Sequence, residues 1–194
     1  NAVTGSTQYV GNWPGVTVEK KEGPIRGHKD TLLVDLPGIY SLSPYTLEER
    51  ITRSYLTNDK PDAVINIVDS TNIERSLYLT TELLEMNIPM IVALNMTDAA
   101  EKAGVSIDAD KLSKSLGCRV IKTSASEGTG IEDLVKNTID IASLKERPGS
   151  YPRFSGCIED TLEMISVAAN KFSGDLPKRW LSVAGKSTKQ GTIG

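Results

Sequence analysis

Short apolar runs alternate with longer segments of helical periodicity, and this alternation constrains the fold more than any other feature of the chain. Three runs are nearly continuous in Val, Ile, Leu and Ala, at residues 31–34, 63–68 and 90–94. Such strands are typical of a mostly parallel sheet with helices on both faces. Val120-Ile121 predicts a further short strand. The pattern therefore predicts an α/β fold.

Helical patterns lie between these strands. Thr46 followed by Glu49 has the spacing of a capping box, which predicts a helix that starts there and runs to about Leu56. Three more helices are predicted over residues 73–86, 109–116 and 131–144. The third of the four is expected to end at Gly117, because glycine is the usual C-terminal cap.

The pattern changes after Pro148-Gly149-Ser150. An amphipathic helix outside the sheet is predicted from apolar residues at helical spacing: Ile158, Leu162, Ile165, Ala169 and Phe172. We therefore divide the chain into a first domain over residues 1–147, the start of a helical subdomain over 148–183, and a disordered polar tail over 184–194.

Composition argues against several function classes. The 194 residues carry a formal net charge of −3, which gives no general reason to bind nucleic acid. No segment is apolar enough to cross a bilayer. Cys118 and Cys157 lack partners at zinc-ligand spacing and are predicted to be reduced core thiols, and His28 is predicted to be a surface loop residue.

The segment Asp35-Leu36-Pro37-Gly38 directly follows an apolar strand. Parallel sheets bind ligands at the carboxyl ends of their strands. A carboxylate there can hold Mg²⁺ through water, and a glycine N–H can approach a terminal phosphate. Asp and Gly also form ordinary turns, so an ordinary turn is an equally good interpretation of this motif alone.

The segment Asn95-Met96-Thr97-Asp98 follows the next strand but one. Asp98 can accept two hydrogen bonds from the ring N–H and amine of guanine, an arrangement that adenine does not offer. Asn95 is expected to brace the loops around the base. The structural alternative is that Asp98 merely caps a helix.

Ser124-Ala125-Ser126 comes after the predicted strand near Thr123. The Ala125 N–H is expected to meet the carbonyl oxygen of guanine and so to reject an amine at that position. Three small residues are a weak motif alone. The order of the three motifs, each at a strand end and roughly 60 and 30 residues apart, indicates a guanine-nucleotide site.

This arrangement resembles the translation-factor-like GTPases, and the flanking residues narrow the resemblance. The segments over residues 11–18, 35–45 and 68–79 are similar to those of bacterial ferrous-iron transporter B proteins. The similarity covers residues 1–147 and extends weakly to about Val183. It implies a P-loop-NTPase-like G domain that binds GTP or GDP with Mg²⁺.

The resemblance also assigns roles to residues. Thr17 corresponds to the switch threonine that ligates Mg²⁺, within a nucleotide-binding segment that includes Gly15 and Val16. Asp35 corresponds to a second magnesium partner and Gly38 to the phosphate sensor. The resemblance implies further partners in the same full-length protein, a helical subdomain and a transmembrane domain, and it leaves a homo-oligomer open. It places the module at the cytoplasmic face of the bacterial inner membrane.

The chain departs from the family pattern in two places. A P-loop, G-x-x-x-x-G-K-[S/T], is expected before Asn1 together with its strand, so we expect this chain alone to be inactive and its monovalent-cation site to lie outside it. Ile39 stands where many GTPases have a water-orienting glutamine, so hydrolysis is expected to be slow and no catalytic residue is assigned.

Two other functions stay open on the sequence. One is a non-catalytic interaction module. The other is a ribosome-assembly type of GTPase, which shares the base-recognition motifs but usually carries a basic RNA-binding appendage. Residues 151–194 hold six Lys or Arg against four Asp or Glu, and this small excess of positive charge makes that second alternative weak.

Overall fold

The computed structural model describes residues 3–4, 8–149, 153, 155–169 and 178–184. These residues form six strands: β1 Tyr9–Asn12, β2 Glu19–Ile25, β3 His28–Asp35, β4 Val64–Asp69, β5 Met90–Asn95 and β6 Arg119–Lys122. Seven α-helices accompany them in this part of the chain: α1 Leu47–Ser54, α2 Ile73–Glu85, α3 Thr97–Lys102, α4 Ala109–Leu116, α5 Ile131–Leu144, α6 Gly156–Ala169 and α7 Lys178–Ala184.

Strands β4, β5 and β6 form a parallel sheet with β5 in the middle. The side chains of β5 alternate between two helical layers because successive residues of a strand face opposite sides. Val92 and Leu94 pack in the larger core cluster together with Leu83 and Leu84 of α2. On the other face, Ile91 and Ala93 pack with the α5 residues Leu134 and Ile141. The predicted α/β fold is confirmed in this half of the molecule.

The run at residues 31–34 lies in a different kind of sheet from the one predicted. It belongs to β3, which pairs antiparallel with β2, and β2 in turn pairs antiparallel with β1. The connection between β2 and β3 is tight, and Gly27 occupies it with a φ of 83°, a left-handed conformation that glycine adopts without strain. Charged residues dominate β2, so no apolar run indicated it in the sequence.

The helix predicted from Thr46 starts as expected. The Thr46 hydroxyl accepts from the Glu49 N–H at 3.1 Å, and the Glu49 carboxylate accepts from the Thr46 N–H at 3.0 Å. Helix α1 ends at Ser54, two residues before the predicted end near Leu56, and continues as a π-helical turn over Tyr55–Asp59. The Thr57 hydroxyl bonds back to the Arg53 carbonyl at 2.9 Å, a local contact that competes with regular helix geometry.

The other predicted helices agree closely with the structure. Helix α5 has the predicted bounds, and α4 ends before Gly117, which has a φ of 69°. Helix α3 was not predicted, since six residues are too few to show a helical period. Cys118 is partly buried against the larger core cluster, whereas His28 is exposed at the start of β3 and not in a loop.

The predicted amphipathic helix is present as α6, with Ile158 and Ile165 exposed by 46% and 38%. Phe172 and residues 185–194 of the predicted tail lie outside the described residues. The domain boundaries at 147 and 183 stay predictions. Among the described helices, none combines the length and apolar character needed to cross a membrane.

Candidate functional site

The segment Asn95–Asp98 links the end of β5 to α3. Met96 makes the turn in a left-handed conformation with a φ of 60°, and α3 then begins at Thr97. Both the N–H and the hydroxyl of Thr97 donate to the Thr123 carbonyl, at 3.4 and 3.1 Å. Thr123 follows β6, the neighbour of β5. The carboxyl ends of two adjacent parallel strands are therefore tied together, as expected of a ligand-binding edge.

Asp98 lies inside the first turn of α3, and the cap residue of that helix is Met96. Its Oδ1 accepts a hydrogen bond of 2.8 Å from the Ser124 hydroxyl, and Lys102 Nζ lies 3.9 Å from Oδ2. The Ser124 hydrogen bond is the main cause that holds the pKa of Asp98 below its usual value. The carboxylate is therefore charged and oriented near neutral pH, as pairing with two guanine N–H groups requires.

Asn95 braces the neighbouring loop with its side-chain oxygen. Oδ1 accepts from the Ala125 N–H at 3.1 Å and from the Thr123 hydroxyl at 3.3 Å. The Ala125 N–H was expected to face a guanine carbonyl oxygen. In this structure it donates to Asn95, so a base carbonyl at that position has to share the N–H or take it over.

The loop after Thr123 is compact. Ser124 and Thr129 exchange backbone hydrogen bonds, and the Ser124 hydroxyl also contacts the Ser126 hydroxyl at 3.0 Å. Gly130, which we did not single out from the sequence, closes the loop with a φ of 74°. A Cβ there would lie 2.1 Å from the Lys122 carbonyl oxygen, so only glycine fits. In the sequence, the only indication of this role is that Gly130 directly precedes a helical pattern.

The segment that carries Gly15, Val16 and Thr17 is a loop between β1 and β2. Its base is closed by hydrogen bonds from the Trp13 N–H to the Val18 carbonyl at 2.9 Å and from the Val16 N–H to the Trp13 carbonyl at 3.2 Å. The Trp13 ring is buried edge-on against Tyr55, with centroids 5.4 Å apart. Gly15 has a φ of 78°, and Thr17 is exposed.

Asp35 is the last residue of β3, and its side chain is exposed. Leu36 packs against the larger core cluster, Pro37 is partly buried, and Gly38 has open space where a Cβ would lie. Within the described ranges, no hydrogen bond or ion pair joins Thr17 or Asp35 to the residues around Asp98. The structure thus brings the residues predicted to recognise the base into contact with one another, whereas no hydrogen bond within the described ranges links them to Thr17 or Asp35.

Magnesium fits the donors that these segments offer. The Thr17 hydroxyl and the Asp35 carboxylate are hard oxygen ligands, and Mg²⁺ usually takes one or two such protein ligands together with waters and phosphate oxygens. The residues that the structure describes contain no cluster of three or more His, Cys, Asp and Glu. A magnesium ion here would therefore depend on phosphate oxygens for much of its coordination.

A parallel sheet between two helical layers, with the Asn95–Asp98 and Ser124–Ser126 segments at its carboxyl edge, is consistent with a G domain of the P-loop-NTPase-like class. A comparison with family models finds a match to ferrous iron transport protein B over residues 1–138. The chain therefore belongs to the ferrous iron transport protein B family, and the resemblance inferred from its sequence is confirmed.

Curated relatives carry the same family name. The chain is 53% identical over 192 residues to the Fe(2+) transporter FeoB of Escherichia coli K12, an alignment that covers 94% of this chain and 24% of the relative. It is 53% identical over 140 residues to the FeoB of Salmonella typhimurium, covering 69% and 18%. The chain spans about a quarter of the length of such relatives.

Solved structures share the fold. A mutant of S. thermophilus NFeoB bound to GDP superposes with a TM-score of 0.90 at 40% identity, covering 94% of this chain and 70% of that one. The cytosolic domain of the T. maritima FeoB iron transporter matches in its apo form with a TM-score of 0.86 at 38% identity, and in its GMPPNP form with 0.82 at 37% identity. Each of the latter two covers 94% of this chain and 73% of its own.

Proposed function

We propose that this chain is part of the guanine-nucleotide-binding regulatory module of a ferrous-iron transporter, a module that binds GTP or GDP with Mg²⁺ and hydrolyses GTP slowly. The observation that carries the proposal is the hydrogen-bonded group of Asn95, Asp98, Ser124 and Ala125 at the carboxyl ends of β5 and β6. Structures of relatives with GDP and GMPPNP support it.

Each base-recognition residue has a distinct task in this proposal. The Asp98 carboxylate accepts from the ring N–H and the amine of guanine, while the Ser124 hydroxyl fixes its orientation. Asn95 holds the Ala125 loop by accepting from the Ala125 N–H, which the base carbonyl then shares or takes over. Met96, Thr97 and Ser126 shape the two loops. Adenine presents the opposite donor and acceptor at these positions and is rejected.

The phosphate side is assigned to exposed segments. Thr17 and Asp35 supply oxygen to the magnesium ion, which neutralises phosphate charge when bound, and Gly38 offers its N–H to the terminal phosphate. Both side chains are exposed, so a ligand can reach them from solvent. Loops that respond to a γ-phosphate are drawn from the weakly held parts of a fold.

Slow hydrolysis follows from Ile39. Its side chain is partly buried against the larger core cluster and has no group that could orient an attacking water. The proposed module is therefore a switch more than a catalyst. Its partners are the helical subdomain that begins in α6 and α7 and a transmembrane domain of the same protein, and its place is the cytoplasmic face of the bacterial inner membrane.

The base assignment is tested with Asp98→Asn in the full-length protein. Calorimetric titration with GDP and with ADP should show a guanine affinity lower by ~10-fold or more, the factor that loss of a charge-assisted hydrogen bond produces. Asp110→Asn is the matched control, because Asp110 also lies in the first turn of a short helix. Unchanged GDP affinity in Asp98→Asn, or equal GDP and ADP affinity in the unmodified protein, would overturn the assignment.

A further inference from the structure

The loop that carries Thr17 is closed at its base by the backbone of Trp13. The Trp13 N–H donates to the Val18 carbonyl at 2.9 Å, and the Trp13 carbonyl accepts from the Val16 N–H at 3.2 Å. Thr17 itself is exposed, and its side chain has no hydrogen-bond partner among the described residues. The position of the Thr17 hydroxyl therefore follows the position of Trp13.

Trp13 is held in turn by its indole ring. The side chain is 7% exposed, and within the described ranges its Nε1 donates to no acceptor. A buried N–H without an acceptor opposes burial, so the ring contacts have to outweigh that cost. The indole meets the Tyr55 ring at a centroid distance of 5.4 Å with the two planes at 75°, an edge-to-face arrangement that aromatic pairs prefer. Ring packing therefore anchors Trp13.

A cation lies over the same indole. Lys20 Nζ of β2 is 5.3 Å from the centre of the Trp13 ring, within the range of a cation–π contact. The ammonium also lies 2.6 Å from a carboxylate oxygen of Glu22, and this hydrogen bond is the main cause that raises the pKa of Lys20. Lys20 and Tyr55 thus hold the indole from two different elements of the fold.

Tyr55 belongs to a segment that the core holds in place. Its N–H bonds to the Ile51 and Thr52 carbonyls at the end of α1, and it begins the π-helical turn over Tyr55–Asp59. The next residue, Leu56, is 3% exposed in the larger core cluster. Such π-helical turns are rare and occur frequently at functional sites. Tyr55 is therefore the fixed partner of the aromatic pair, and Trp13 carries the loop.

The space beside the pair allows the loop to shift when this contact is lost. An open cavity of about 360 Å³ adjoins the two rings, with Pro14 and Ile51 among its other lining residues. The indole is therefore not enclosed on every side, and it has room to move if Tyr55 no longer holds it.

We propose that Tyr55 is a positioning residue, which fixes the loop over residues 13–18, and with it Thr17, by packing its ring against Trp13. The assignment of Thr17 to magnesium and the triphosphate state rests on the proposed function. Tyr55 does not touch a nucleotide and acts only through Trp13. Its loss should therefore weaken the binding of a triphosphate, which engages Thr17, and leave a diphosphate nearly unaffected.

The anchoring contact is tested without nucleotide, by hydrogen exchange and mass spectrometry on the full-length protein. In Tyr55→Leu, which keeps an apolar side chain but no ring, and in Tyr55→Ala, the peptide over residues 12–18 should exchange about fivefold faster or more, the factor that corresponds to a lost aromatic pair. Amides 91–94 of β5 should stay unchanged. Tyr55→Phe should behave like the unmodified protein, and Tyr78→Ala, which removes an exposed tyrosine of α2, is the matched control.

Nucleotide affinity tests whether Tyr55 acts through Thr17. With Mg²⁺ present, Tyr55→Leu should lower GMPPNP affinity by about fivefold or more and GDP affinity by less than about twofold, whereas Tyr55→Phe should match the unmodified protein. In a chain that already carries Thr17→Ala, adding Tyr55→Leu should lower GMPPNP affinity by less than a further ~2-fold, because a residue that acts through Thr17 then has little left to lose.

Three results would overturn the proposal. The first is unchanged exchange at residues 12–18 in both Tyr55→Leu and Tyr55→Ala, and the second is equal acceleration at 12–18 and 91–94, which means general destabilisation. The third is faster exchange at 12–18 with GMPPNP affinity that is unchanged, that falls only as much as GDP affinity, or that falls additively with Thr17→Ala. If the unmodified protein binds no GDP, the proposed function fails, while the exchange result still decides whether Tyr55 anchors the loop.

Discussion

Replacing Ser124 by alanine removes the hydroxyl that orients Asp98 and disturbs little else. The side chain is 1% exposed, and alanine differs from serine only by the missing oxygen, so no sizeable cavity results. That oxygen donates to Asp98 at 2.8 Å, contacts Ser126 at 3.0 Å and accepts from the Glu127 N–H at 3.4 Å. Its three partners can all reach water, so the net loss is that of one hydrogen bond, ~1 kcal/mol of unfolding free energy.

A loss of that size is measurable in a chain of this length. It corresponds to a fall of ~2–4 °C in Tm for a domain of about 150–250 residues. Urea titration at pH 7 measures the same difference, and Ser126→Ala is the control because its exposed hydroxyl does not contact Asp98. We expect the control to differ from the unmodified chain by less than ~0.5 kcal/mol.

The pH dependence gives a sharper test. The folded-state pKa of Asp98 lies below its ordinary value of 3.8, chiefly because the Ser124 hydroxyl donates to the charged form. The stabilisation is therefore complete above pH 3.8 and disappears as the pH falls through the lowered pKa. In Ser124→Ala the pKa of Asp98, followed by carboxyl NMR, should move back up towards 3.8. An unchanged pKa together with unchanged stability would refute this account of the site.

Three further predictions concern other parts of the molecule. In the full-length protein, Thr17→Ala should weaken magnesium-dependent GTP turnover and leave GDP affinity nearly unchanged; equal losses of GTP and GDP binding would mean that Thr17 is structural. Burial raises the pKa of the Cys118 thiol from 9.0 to about 11, so the peptide that contains it should react with iodoacetamide at pH 8 roughly 100-fold more slowly in the folded chain than in urea. Thr46→Ala removes one half of the capping box of α1 and should lower the unfolding free energy by ~1 kcal/mol in urea titration, and no change would show that α1 is held by its packing alone.

The sequence predicted the buried parallel strands well because their environment is uniform. Residues 90–94 are apolar throughout since helices cover both faces of β5, and the predicted and observed strands agree to one residue. The pattern failed for β1, which has only four residues, and for β2, which begins with the charged residues Glu19, Lys20, Lys21 and Glu22. It also assigned residues 31–34 to the wrong kind of sheet, because an apolar run does not reveal the direction of its neighbours.

In the candidate site too, some features could be predicted from the sequence and others could not. The sequence correctly predicted that Asn95, Asp98 and Ser124 lie at the ends of two neighbouring strands, β5 and β6. It did not reveal that Ala125 donates to Asn95, nor that Gly130 is required by the Lys122 carbonyl, because both contacts depend on the path of a loop. The role of Thr17 came from the family resemblance alone, whereas that of Asp35 came from its position after an apolar strand and from the resemblance; both stay predictions.

The unequal construction of the two sides of the site has a physical consequence for how a nucleotide would be bound. The base side is cross-linked by hydrogen bonds among Asn95, Asp98, Thr123 and Ser124, so a guanine ring meets a surface whose ordering cost has already been met by folding. On the phosphate side the Thr17 and Asp35 side chains are exposed, so the ligand would have to order them. Base contacts would then contribute nearly equally to GDP and GTP, whereas a third phosphate would act on the loops that contain Thr17 and Gly38. The Glu82 carboxylate of α2 holds the segment after Gly38 by accepting from the Leu42 N–H. A third phosphate that reorders the loop would therefore also have to change this contact. The affinity difference between GTP and GDP should depend on Glu82, although this residue lies outside the nucleotide site.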